Sequence, residues 1–250
     1  SLVFDVVRIL AASQVPVFVL PGNHDPLSQD SVYRRASWKT RPAHVRLIED
    51  SSPIAIAGGK GLLIPAPLFL KKSAEDPTLG LRVPENGGGG ALIGVAHGSL
   101  KIEGKHGQDD FPIALDAAQR AGLGYLALGH WHGRYVHGGR TAYSGTLETT
   151  KFGESNSGMA LLVEVGSGLP QLTDLPTGKL TWLSRELDFG RGAALEIASL
   201  RKELEAYTVS KEKVLLRLKT QGESAPEDEL ALSALAEELR ARVCLRSSAN

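Results

Sequence analysis

The stretch "VPVFVLPGNHDP" (residues 15–26) joins an apolar run to a turn carrying an amide, an imidazole and a carboxylate in succession. Val15–Leu20 reads as a buried strand. Pro21, Gly22, Asn23 and Asp25 are all common turn formers, so one reading is a turn and nothing more. The other is a ligand site at the carboxyl end of a sheet strand, where open α/β sheets hold their ligands. Two more places repeat the arrangement. His97 ends the apolar run "ALIGVAHG" (91–98), and "YLALG" (125–129) leads into His130 and His132. Two residues apart in extended backbone, His130 and His132 face the same way.

The residue types narrow the chemistry. Imidazole nitrogen with amide or carboxylate oxygen, and no thiolate, suits manganese, iron or zinc. The single cysteine, Cys244, can build neither a thiolate zinc site nor an internal disulfide, and it fits a reducing cytoplasm. Alone, the first place reads equally well as a turn, His97 is more often a hydrogen-bonded half-buried histidine than a ligand, and a pair like His130 and His132 is often just the exposed face of a hairpin. Their conjunction favours a metal site. Glycines at 22, 98, 129 and 133 add to it, because they let backbone approach a bound ion closely.

Composition sets wider bounds. The 250 residues carry 28 Lys+Arg against 28 Asp+Glu, so net charge gives no bulk pull toward nucleic acid. A local basic patch does occur in "YRRASWKTRPAHVR" (33–46). There Arg34 and Arg35 are candidate substrate contacts, and Trp38 could stack on a base. The alternative is a solvated helix face. No apolar run reaches the ~20 residues of a membrane helix. The apolar start of the chain is interrupted by Asp5 and Arg8 and is not read as a signal peptide.

Periodicity predicts helices over 2–13, 29–38 and 113–121, with Asp110 a candidate cap of the last. Short strands are expected at 44–48, 54–58, 61–67 and 91–98. "GMALLVEVG" (158–166) and "KLTWLSREL" (179–187) alternate like strands of an antiparallel sheet. Beyond about residue 189, a helix, a strand and a second helix form a small α/β tail. The mixture argues for a mixed-sheet α/β sandwich.

The order Gly-Asn-His-Asp, Ala-His-Gly, Gly-His-Trp-His resembles the calcineurin-like metallophosphoesterases. The segment "YLALGHWHGRYV", followed by "RTAYSGTLETTKFGE", is most similar to their SbcD-type DNA repair exonuclease branch. The resemblance covers about residues 1–187. It implies a metallo-dependent phosphatase sandwich, two mixed sheets flanked by helices, with residues 188–250 as a small capping unit. It implies two divalent ions, manganese foremost, with iron, zinc or magnesium as alternatives. Asn23, His97 and His130 would bind one ion and His132 the other. His24 would be the catalytic histidine at the scissile phosphate, and Asp25 would fix the loop and complete the catalytic motif. It further implies DNA as substrate, a homodimer, a coiled-coil ABC-type ATPase partner and a cytoplasmic location. A phosphoesterase on small phosphodiesters or phosphoproteins would share the site. A non-catalytic binding module would keep the fold without the chemistry.

The sequence departs from the family in one respect. An Asp-x-His and a Gly-Asp-x-x-Asp motif are expected before "GNHD", and neither occurs. Asp5 is the one carboxylate in residues 1–20, and it falls mid-helix. The expectation is therefore an N-terminally truncated chain. It would hold four of the protein ligands, bind the second metal weakly and bind the first hardly at all.

Overall fold

A computed structural model of the chain describes residues 2–85, 89–105, 107–206, 213–223, 225–240 and 244–247. The fold is mixed α/β and divides into two compact units, one of residues 1–145 and 160–175, the other of residues 146–159 and 176–250.

In the first unit, helix α1 (Leu2–Ala11) leads into strand β1 (Val17–Val19). A single 3-10 turn (Val32–Arg34) and a one-turn helix α2 (Ala36–Lys39) follow, in place of the continuous helix expected over 29–38. Strand β2 (Val45–Leu47) pairs parallel to β1. Next come β3 (Ile54–Ile56), β4 (Gly61–Ala66), β5 (Ala91–His97), the short pair β6 (Ser99–Leu100) and β7 (Pro112–Ile113), and helix α3 (Ala117–Arg120). Of the helix expected over 113–121, only these four residues of α3 are helical. Strands β8 (Tyr125–Gly129), β9 (Tyr135–His137), β10 (Thr141–Tyr143), β11 (Met159–Glu164) and β12 (Gln171–Pro176) complete the series.

Six of these strands form one sheet in the order β3-β4-β5-β8-β10-β9. Its middle four run parallel, and the edge strands β3 and β9 are antiparallel to their neighbours. Side chains alternate between its faces, as strand geometry requires. Ile64, Ala96 and Leu126 point to one face and pack with Ala117 and Ala118 of α3. Leu63, Ile93 and Val95 point to the other and pack with Phe18, Leu20 and Ile48 from the β1–β2 region. The far side of β1–β2, through Val19 and Leu47, packs on Val3, Val7 and Leu10 of α1.

The second unit contains β13 (Thr181–Asp188), α4 (Ala193–Ala206), β14 (Val214–Gln221), α5 (Pro226–Arg240) and β15 (Cys244–Ser247). Its three strands run parallel in that order, with β13 in register with β14 over eight residue pairs. The antiparallel setting expected for 179–187 is therefore not what forms. β11 pairs with β12, a strand the periodicity does not single out, and β13 pairs with β14. A parallel pair needs a long crossover, and α4 lies in the connection between its two strands. Ile197, Leu200 and Leu204 make an apolar stripe on α4, buried with Leu183, Val214, Leu216 and Leu235. Among the described residues no helix is long and apolar enough to cross a membrane.

Candidate functional site

His97 is the last residue of β5, and its register partner is Gly129, the last of β8. His130 comes next along the chain, just past the strand end, where its φ of +114° leaves strand geometry and the two imidazoles lie side by side. Their ring centroids are 5.2 Å apart, edge to face. Asn23 arrives from the loop after β1, and its Oδ1 lies 2.8 Å from His97 Nε2. His130 Nδ1 lies 3.3 Å from the same nitrogen.

The proton count around that nitrogen is informative. The other ring nitrogen of His130, Nε2, is 2.8 Å from Asp110 Oδ1 and donates to it. In the neutral imidazole Nδ1 is then a lone pair. Asn23 Oδ1 is also an acceptor. His97 Nε2 faces both, as an N–H donor in one tautomer and as a third lone pair in the other. Burial pushes the His97 imidazole down to about 4, and neighbouring His130 adds to the effect, so His97 is neutral near pH 7. Neutral imidazole is the form that ligates metal. The spacing fits a small cation. Ligand bonds of about 2.0–2.2 Å put neighbouring ligand atoms about 2.8–3.6 Å apart around a tetrahedral or octahedral ion. The carboxylate on the far nitrogen of His130 is the usual outer partner of a ligating histidine.

The set falls short of a complete centre. Among the described residues no three His, Cys, Asp or Glu side chains are grouped to hold a metal ion. Both oxygens of Asp25 are used within its own loop. Oδ1 accepts from Gly22 N at 2.9 Å, and Oδ2 accepts from the Tyr33 hydroxyl. Burial, then that bond to Asp25, holds the Tyr33 hydroxyl well above its ordinary pKa, so it stays a donor. His24 is exposed on the same loop, near enough to bear on the charge of His97. His132 is exposed two residues beyond His130.

Two glycines have a different role from the one expected. A Cβ on Gly22 would lie 2.6 Å from His97 Cε1, and one on Gly129 would lie 2.8 Å from His97 Nδ1. They make room for the His97 ring between two backbone segments, rather than for an ion. At Gly98 a Cβ would meet the carbonyl oxygen of Phe111 at 2.3 Å, which locks the β5–β6 turn against the segment bearing Asp110.

The proposed substrate contacts fare unevenly. Arg34 and Arg35 are exposed, and Arg34 Nε donates to the Ser28 carbonyl. Trp38 is only 3% exposed and packs edge-on against Tyr33, at 4.8 Å, within the cluster under α1. Its faces are closed to a base, so the stacking role read from the sequence does not hold.

Asp110 is the site residue that sequence reading misses. It is not a helix cap; its carboxylate is shared between His130 and the Ser99 hydroxyl, which donates to Oδ2 at 2.6 Å. One signal does point to it in principle, since a ligating histidine calls for an outer carboxylate. Nothing in the spacing says which.

A scan of protein-family models gives no match to the chain, and a search of curated proteins gives none either.

Proposed function

We propose that this chain belongs to a metal-dependent phosphodiesterase of the calcineurin-like kind, acting on DNA in the manner of the SbcD-type exonuclease branch. The observation that carries this reading is the convergence of Asn23 Oδ1, His97 Nε2 and His130 Nδ1 at adjoining strand ends. The layering of the first unit, helix on β1–β2 on six-stranded sheet on helix, supports a phosphatase sandwich. Divalent cations, manganese foremost, would supply Lewis-acid polarisation of a phosphoryl oxygen and activation of water.

On this reading the chain's own residues divide the work. Asn23, His97 and His130 hold one cation, and His132 contributes to the other. His24 moves a proton to the leaving oxygen, while Asp25 fixes the loop that presents it. Arg34 and Arg35 lie exposed where a phosphate backbone could meet them. The coiled-coil ATPase partner, the homodimer and the cytoplasmic location belong to the same proposal.

A binding module that keeps the fold without hydrolysis is the second reading. It is favoured by the engagement of Asp25 and Asp110 in hydrogen bonds of their own, which leaves neither to bridge two ions. Hydrolysis of single-stranded DNA and of bis-p-nitrophenyl phosphate, with and without Mn²⁺, separates the readings. The nuclease reading expects Mn²⁺-dependent turnover and a salt-sensitive preference for DNA. It also expects His24→Ala to lower turnover by about 10²–10⁴-fold while sparing Mn²⁺ binding. Mn²⁺ binding with no turnover on either substrate would leave the module.

A further inference from the structure

We infer that Asp110 is a positioning residue for His130, itself held by Ser99 and Trp131, so that His130 presents Nδ1 as a lone pair. This rests on the cation-binding reading of the cluster. The contacts run in one line from the core to the site. Trp131 Nε1 donates to Ser99 Oγ at 3.0 Å. Ser99 Oγ donates to Asp110 Oδ2 at 2.6 Å, and Asp110 Oδ1 receives His130 Nε2–H at 2.8 Å. Each hydroxyl or carboxylate oxygen in the line has its donor, so the direction of every proton is set. With Nε2 committed to Asp110, the only lone pair left on the His130 ring is on Nδ1, the atom facing His97 and Asn23.

The inner end of the line is rigid. Trp131 stacks on Tyr143 with centroids 4.6 Å apart and planes 14° from parallel. Tyr143 is fully buried; its hydroxyl donates to the Gly98 carbonyl at 2.7 Å and accepts from Leu100 N at 2.9 Å. Ser99 is buried as well. The outer end is held by the backbone. Phe111, next to Asp110, has φ +51°, and His130 has φ +114°. Neither is glycine, and such conformations persist where the surroundings over-determine them. Both lie beside the Asp110–His130 contact. The adjacent Asp109 is engaged elsewhere, with exposed Lys72 at 2.8 Å.

The test uses the whole chain, the variant Asp110→Asn, and two readouts. Nitrogen-15 NMR of the metal-free protein reads the tautomer of His130, and titration with Mn²⁺ alone reads affinity. The wild type should show a single Nε2–H tautomer. Asp110→Asn should mix the tautomers and weaken Mn²⁺ binding by about 10–100-fold, as loss of an outer carboxylate does. A tie that is structural only would lower thermal stability and leave both readouts alone, which overturns the proposal. Ser99→Ala keeps the carboxylate but frees its second oxygen; it should shift both readouts the same way by less, and it serves should Asp110→Asn fail to fold. If the wild type takes up no Mn²⁺, the cation reading falls by itself. A tautomer change in Asp110→Asn then still upholds the Asp110–His130 assignment, and an unchanged tautomer overturns it.

Discussion

The histidine cluster and the basic segment 33–46 are both rich in residues that suit a phosphate-binding enzyme, and folding treats them in opposite ways. At the strand ends, side-chain atoms of Asn23 and His130 lie 2.8 and 3.3 Å from His97 Nε2. In the basic segment the aromatic is drawn inward to fill the space under α1, and Arg34 and Arg35 are left exposed. The difference lies in what fixes each residue. Parallel strand pairing puts His97 and His130 at one edge whatever their side chains do. Nothing of that kind held Trp38 at the surface, and its large apolar area is stabilised by burial.

The largest expected effect tests the second half of that contrast. Trp38→Ala should destabilise the protein by about 3–5 kcal/mol in denaturant unfolding, the usual range for removing a core aromatic. A variant that keeps its stability and loses DNA binding would return Trp38 to the substrate surface. The same experiment on Arg34→Ala or Arg35→Ala should move stability by less than about 0.5 kcal/mol.

A middle-sized effect tests the first half. Gly22→Ala puts a methyl 2.6 Å from His97 Cε1, on a ring also confined by Gly129. Overpacking of this kind costs about 1–3 kcal/mol. It should also displace His97 Nε2 and weaken Mn²⁺ binding. Affinity unchanged despite the lost stability would mean that His97 is not a ligand.

Much of this was open to sequence reading, for identifiable reasons. The apolar runs at 61–67 and 91–98 became β4 and β5 because long buried strands leave a continuous signal. That three chemically loaded loops would meet could be read from their shared position after such runs. Long-range partnerships left no local trace. The pairing of β13 with β14 depends on a crossover, and residue alternation is the same in parallel and antiparallel partners that are half exposed. Asp110 reads as a cap because "DDFPIALDAAQ" offers a plausible helix start. Its actual partners, Ser99 and His130, lie 11 and 20 residues away along the chain and come near only once β6 and β8 are in place. The glycines at 22 and 129 stand out in the sequence, but that they clear space for a ring rather than an ion depends on where His97 points.

The proposed cation site is formed by Asn23, His97 and His130. Calorimetric titration of the metal-free chain with Mn²⁺, beside Asn23→Ala and His97→Gln, tests it most directly. One saturable site is expected in the wild type, with its loss or severe weakening in both variants, each still folded by circular dichroism. Equal Mn²⁺ binding in all three proteins, or none in the folded wild type, would contradict it.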